Sequence, residues 1–461
     1  MTKLNNRKDV RGFVVSNFYS LLTYASFSIL FIIQGCDSDS TEPLNNNPGN
    51  EQNQSENNVS YYDDLIVFNF PERYTIGQYA NGDYWVYNNG DEVTITQITP
   101  VSENIVGRTI NGTMINPVES SIQGYDSESR DMTYDEGLNV DPGNTGIPLV
   151  VSPGTSVVKS ISMESSKGRP IISDAVVLTV VNKIPVDGAF RPPYTGNDKS
   201  VIATIDDLDF DVLGNHPRLG DEPDITEVVS YYDRVWLEHC TEWTQRDIHP
   251  LNNMPAYGRD IADKSAIGLI LLQLDYSNAE KKELLINLVQ YGIDLYGLVR
   301  NGAIWYNNGG HNLGRKMPML LAAKVLNNTD MLAYSDKEKY FIFQDDQQHF
   351  YVSTSEVALT NSDAWAPDDR ATLIPYRNED IGLAEWGIRH SDRPEADNKS
   401  WDATYRLVNG YAQTLHIFAA RLMGVEDDWN WPPVFDYTDR FYEIEKDKFP
   451  TYFVNLWEVY R

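Results

Sequence analysis

The hydrophobic period of this chain changes once, and that change limits the fold more than any single motif. From Tyr61 to about Lys199 the apolar residues come in short β-type runs. These are DYWVY at Asp83–Tyr87, VTITQI at Val93–Ile98, PLVVS at Pro148–Ser152 and AVVLTVV at Ala175–Val181. Asn89-Gly90, Asn111-Gly112 and Pro142-Gly143 separate them as turns. Short strands repeated at this spacing predict a β-sandwich over 61–200.

From about Asp224 the spacing becomes helical. Val228, Val229, Tyr232, Val235, Trp236 and Trp243 fall on one helix face, and Ile261–Leu274 is a second apolar helix. Ser277 and Glu280 make a capping box for a third, through Leu284, Leu285, Leu288 and Val289. Ser400 can cap a long helix to Met423, and a last helical piece carries Phe435, Tyr437 and Phe441. Helices joined by long polar, aromatic-rich loops predict stacked helical hairpins over 224–461, an α/α-toroid-like ring, complete or incomplete. The fold class expected is therefore multidomain α and β, with the sandwich first and the helices after it. Residues 201–223 read as an acidic linker between them.

The ends of the chain read differently. Lys3, Arg7, Lys8 and Arg11 open a segment that continues as an apolar run from Phe13 to Ile33, as an export signal does. Residues 37–60 are rich in Asn, Ser, Asp, Glu and Gln and read, with Cys36, as a flexible tether over 36–60. The formal net charge of -30 argues against nucleic acid as a partner, because phosphate neutralisation needs a basic face. If Cys36 is modified, Cys240 is alone, which removes an intrachain disulfide and a cysteine zinc cluster. No cofactor motif is present. Calcium is the remaining metal option, at the acidic run Asp206–Asp211, for which a solvated linker is the simpler account.

Four polar, aromatic loop clusters follow the helical rhythm. They are Tyr257-Gly258-Arg259-Asp260; Asn307, Asn308, His311 and Arg315; Glu379, Asp380, Glu385, Trp386, Arg389 and His390; and Trp401, Asp402, Tyr405 and Arg406. Loops at one end of stacked hairpins converge on one cleft. Arg, His, Asn, Tyr and Trp in an acidic protein suit an anionic sugar chain. β-Elimination from a uronate needs the carboxylate neutralised and a base for the neighbouring proton. Asn307, Asn308, His311 and Arg315 are candidate neutralisers, and Tyr257, His311, His390 and Tyr405 candidate proton carriers. Arg259, Glu385, Trp386, Arg389, His390 and Trp401 are candidate substrate contacts. Hydrolysis needs two carboxylates instead, for which Asp260, Glu385 and Asp402 are candidates. The bland reading keeps Asp260 as a helix cap, Tyr405 as core and the 12% aromatic content as packing.

Two features carry a resemblance. Ile33-Gln34-Gly35-Cys36 is similar to the signal of bacterial lipoproteins, in which the cysteine is lipidated and becomes the mature N-terminus. The Asn308/His311/Arg315 loop looks like the neutraliser loop of α/α-toroid polysaccharide lyases. Together the chain resembles exported lipoproteins of Bacteroidetes-type bacteria that act on polysaccharides. The resemblance implies a signal peptide over 1–35, a lipid anchor at Cys36 in the outer membrane, and a lyase acting on a uronate glycan such as alginate or glucuronan. It departs from that family in order, since the β domain there usually follows the toroid. A glycoside hydrolase and a non-catalytic glycan-binding lipoprotein are the alternatives.

Overall fold

Seven strands from the first half of the chain form one mixed sheet. They are β1 (Gln54–Tyr61), β2 (Ile66–Gln78), β3 (Tyr84–Tyr87), β4 (Gln97–Thr99), β5 (Thr113–Ile115), β6 (Thr155–Ser162) and β7 (Ile172–Val181). The order is β1-β2-β3-β7-β6-β5, with β4 on the other end of the long β2. β7 runs parallel to β3, and the other pairs are antiparallel. The computed structural model describes residues 54–164, 169–362, 375–387 and 405–461, and of Tyr405 and Arg406 the backbone alone. The segment 1–35, expected to be an export signal, and Cys36 lie outside the described residues.

β7 sits at the centre because it is apolar on both faces. Val176, Leu178 and Val180 pack into one cluster with Ile66, Phe68 and Val93. Ala175 and Val177 face the opposite way, against Val235, Leu237, Cys240 and Ile248. A strand covered on both sides reads as a continuous apolar run rather than an alternation. β1 is the converse case. It begins at Gln54, inside the segment expected to be tether, and only Val59 and Tyr61 of QSENNVSY are buried. An edge strand with one wet face carries too few apolar residues to announce itself.

The helix expected across Val228–Trp243 also differs. A short helix ends at Val229, and 230–242 is an irregular buried segment covering the second face of the sheet. Its backbone is held from outside: Glu238 N–H donates to Tyr194 Oη at 2.7 Å, and Asn253 Nδ2 donates to the carbonyls of Arg234 and Val235. Tertiary hydrogen bonds thus override the local period.

The second half is helical. The longer elements are α1 (Gly258–Leu271), α2 (Asn278–Arg300), α3 (Lys316–Val325), α4 (Tyr405–Met423), α5 (Pro432–Glu445) and α6 (Thr451–Tyr460). The capping box opens α2, with Ser277 Oγ accepting from Glu280 N–H and Glu280 accepting from Ser277 N–H. α1 packs along α4, α2 along α3, and α5 against α4. Tyr442 stacks on Trp457 at 4.4 Å and Phe449 on Phe453 at 4.9 Å, so the aromatics near the C-terminus are core. A small hairpin of β8 (His349–Tyr351) and β9 (Ala384–Trp386) pairs His349 with Trp386.

The β-rich and helical regions belong to one unit, 51–461. Arg191 ties them. Its Nε donates to Asp83 at 2.6 Å and its Nη2 to Asp294 of α2 at 2.6 Å, all three groups being buried. Asp126 is likewise structural, ion-paired with Arg108 at 2.6 Å.

Candidate functional site

The loop 305–315 is built from below by amide side chains. Gln344 Oε1 accepts the backbone N–H of Asn308 at 3.3 Å and of Asn312 at 3.0 Å, while its Nε2 donates to the carbonyl of Gly309 at 2.6 Å. Gln348, one turn on, and Asn409 of α4 donate to the same carbonyl, at 3.2 and 2.9 Å. Gln245 Nε2 reaches the His311 carbonyl and Asn312 Oδ1. A buried backbone without regular structure needs such partners. Here they fix the loop to three elements at once.

Glycine makes the fit close. A Cβ at Gly258, the first residue of α1, would lie 1.7 Å from the His311 carbonyl oxygen. Gly314 has φ +87°, and a Cβ there would lie 2.6 Å from Ala262 Cβ. Pro318 falls in the first turn of α3, where its missing N–H costs nothing.

The expected site residues divide into an upper and a lower layer. In the upper layer the half-buried Tyr257 ring lies 4.7 Å from the ring of His311, which is buried, and the Arg259 guanidinium sits 5.1 Å from the Tyr257 ring. Arg259 Nε also pairs with Asp260 at 2.9 Å, in the first turn of α1. Asn307 and Asn308 are half-buried, and the Asn308 carbonyl accepts the His311 N–H at 3.0 Å. In the lower layer, Arg315 is fully buried. It forms an ion pair with Glu238 at 2.9 Å and donates to the carbonyls of Gly258 and Leu313. Its expected place in contact with a substrate carboxylate is corrected: the guanidinium is closed on an internal acid.

Glu385 and Trp386 sit in the hairpin, one layer beneath the loop. Trp386 Nε1 donates to Gln348 Oε1 at 3.1 Å. Glu385 is buried, ion-paired with Arg440 and accepting from Tyr376 Oη at 3.1 Å. Glu379 and Asp380 are on the exposed 3-10 turn before the hairpin. Arg389, His390, Trp401 and Asp402 lie outside the described residues, as do the side chains of Tyr405 and Arg406. The acidic run Asp206–Asp211 uses carboxylates as turn caps: Asp207 accepts from Thr204 and Asp209 from the Asp211 N–H. Among the described residues no group of three or more His, Cys, Asp or Glu is arranged to hold a metal ion. Nor is any described helix long and apolar enough to cross a membrane.

Several residues were not singled out by sequence reasoning. Gln344, Asp345, Gln348 and His349 come from the polar run FQDDQQHF, and Asn409, Gln413 and His416 from α4. In α4 the signal was polar residues at i, i+4 and i, i+7 on an otherwise apolar face; in FQDDQQHF it was the density of amides and acids itself. Asp345 Oδ1 accepts the Gly314 N–H at 3.1 Å, and burial together with Asp346 pushes its carboxyl up to about 6. Burial pushes His349 and His416 down to about 3, so both are neutral near pH 7 and act as fixed polar groups. His416 Nε2 bonds Ser265 Oγ at 2.8 Å, joining α4 to α1.

The site is thus an aromatic–imidazole pair in a loop that also carries two half-buried amides, over a buried lattice of amides and ion pairs. Comparison of the chain with protein-family models, curated proteins and solved structures finds no match to any of them.

Proposed function

We propose that the chain is an exported polysaccharide lyase that cleaves a uronate-containing glycan by β-elimination. On this reading the first region is a β-sandwich, the second an incomplete α/α toroid, and the loop 305–315 one wall of its cleft. The observation that carries the reading is the 4.7 Å approach of the Tyr257 ring to the His311 ring, in a loop that also carries Asn307 and Asn308. Asn307, Asn308 and His311 supply polar groups for the carboxylate, whose neutralisation makes the adjacent C–H acidic. Tyr257, as the tyrosinate, takes that proton and, as the neutral phenol, returns it to the glycosidic oxygen when the C–O bond breaks. The Arg259 cation 5.1 Å from its ring favours the negative charge that the oxygen carries before the transfer. Arg315 serves indirectly, by holding Glu238 and two carbonyls under the loop.

Hydrolysis by a carboxylate pair is less well supported. Glu385 is engaged by Arg440 and Tyr376, and Asp260 by Arg259. On the same reading a lipid on Cys36 anchors the protein at the outer membrane, and metabolic labelling with a fatty acid that fails in a Cys36→Ser variant would support it.

The test is incubation with alginate, glucuronan and a neutral glucan. A lyase raises the ultraviolet absorbance of an unsaturated uronate and creates reducing ends. Reducing ends without that absorbance would favour the hydrolase, and binding without either would favour a glycan-binding lipoprotein. Tyr257→Phe should lower turnover about 10²–10⁴-fold with the fold intact. Full activity in His311→Ala would overturn the assignment.

A further inference from the structure

A strip of exposed aromatic surface adjoins the Asn307 end of the loop and has no part in the chemistry proposed for it. Tyr306 is 53% exposed and Phe341 49% exposed. Trp305 N–H donates to the Ile342 carbonyl at 2.8 Å. Asn307 N–H donates to Gln347 Oε1 at 3.0 Å, and Gln347 Nε2 donates to the Phe341 carbonyl at 2.9 Å. These bonds lay the two segments side by side. The rings of Trp305 and Phe343 turn inward and stack at 5.5 Å, while Tyr306 and Phe341 face solvent. Trp431 extends the strip, edge-on to Phe341 at 6.4 Å, with its indole N–H fixed on the His349 carbonyl at 2.9 Å.

A cation sits on this strip. Lys337 Nζ is 3.4 Å from the Trp431 ring centroid and 5.3 Å from that of Phe341. It also pairs at 3.2 Å with Glu338; the Lys337 side chain is 18% exposed and that of Glu338 74%. In a chain of net charge -30, an ammonium between two aromatic faces offers an anion a local counter-charge. Adjacent exposed rings mark a binding surface rather than scatter.

We infer that Tyr306, Phe341 and Lys337 form a second sugar subsite, which takes a uronate pyranose a few units along the chain from the one at His311. The C–H face of the sugar lies on the rings, and its carboxylate meets Lys337. Continuity through Gln347 to Asn307 lets one polysaccharide occupy both places. The inference rests on the polysaccharide reading and specifies how that site holds its polymer.

The test is electrophoresis of the full chain through gels containing alginate or dextran. Alginate should retard the wild type. Tyr306→Ala with Phe341→Ala should weaken that retardation roughly tenfold, and Tyr306→Phe with Phe341→Tyr should restore it. Lys337→Ala should weaken retardation by alginate and leave migration in dextran unchanged. Unchanged retardation in the double alanine variant, with its melting temperature preserved, would overturn the subsite. No retardation of the wild type in alginate would overturn it as well. Retardation that depends on these residues, without unsaturated product from any uronate polymer, would sink the lyase reading and leave the subsite standing.

Discussion

Arg315 and Glu238 close a buried ion pair, Nη2 to Oε1 at 2.9 Å, directly beneath the loop that carries His311. The pair converts an arginine that reads as a substrate contact into part of the scaffold. Removing one member leaves the other charge buried without compensation. Arg315→Met should therefore cost about 3–5 kcal/mol in urea unfolding, and adding Glu238→Gln should recover a large part of it. An Arg315→Met protein that unfolds at the wild-type midpoint but turns over poorly would return the guanidinium to the substrate.

Gln344 is the side chain on which the loop depends most. Gln344→Leu removes two acceptor contacts and two donor contacts at roughly the same volume, leaving the N–H groups of Asn308 and Asn312 short of a partner. Stability should fall by about 2–4 kcal/mol. Activity should fall further than stability alone explains, because His311 lies between the two clamped residues. Equal activity per folded molecule in the variant and the wild type would argue that the loop keeps its shape by other means.

Asp345 gives a pH signature. Its folded pKa of about 6 lies above the ordinary carboxylate range, so the folded state holds a proton that the unfolded chain has already released. Stability should decline as the pH rises from about 4 to about 6 and then level off. Near neutrality the charged form costs roughly 3 kcal/mol, at about 1.4 kcal/mol per pH unit. Asp345→Asn keeps an acceptor for the Gly314 N–H and should remove that decline. Parallel stability curves for variant and wild type across this range would assign the pH response elsewhere.

Gly258→Ala tests the closeness of α1 to the loop. The new methyl would overlap the His311 carbonyl oxygen at 1.7 Å, so the loop must shift. A loss of about 1–3 kcal/mol is expected, with activity falling more steeply. Hydrogen exchange should locate the loosening at 305–315. Protection unchanged across those residues would show that the helix, not the loop, gives way.

The features legible in the sequence were those set by local patterns. The run AVVLTVV announces a doubly covered strand, Ser277 with Glu280 announces the start of α2, and the Asn-Gly-His loop stands out by composition. What stayed hidden depends on partners distant in the chain. Residues 230–242 have a helical period but are held open by Tyr194 and Asn253. β1 looks like tether because one of its faces is wet. Arg315 looks catalytic because Glu238 lies 77 residues away. Gln344 and Asn409 attract no notice until the carbonyl of Gly309 is seen between them.

The Arg191 fork, clamped between Asp83 and Asp294, bears on inheritance. A gene fragment beginning after residue 200 would drop the guanidinium and leave Asp294 as an uncompensated charge within α2. Recombination that copied the helical half by itself would be penalised at once. The β-rich half is therefore not an interchangeable module beside a portable helical half, and descendants of this chain should carry both halves or neither.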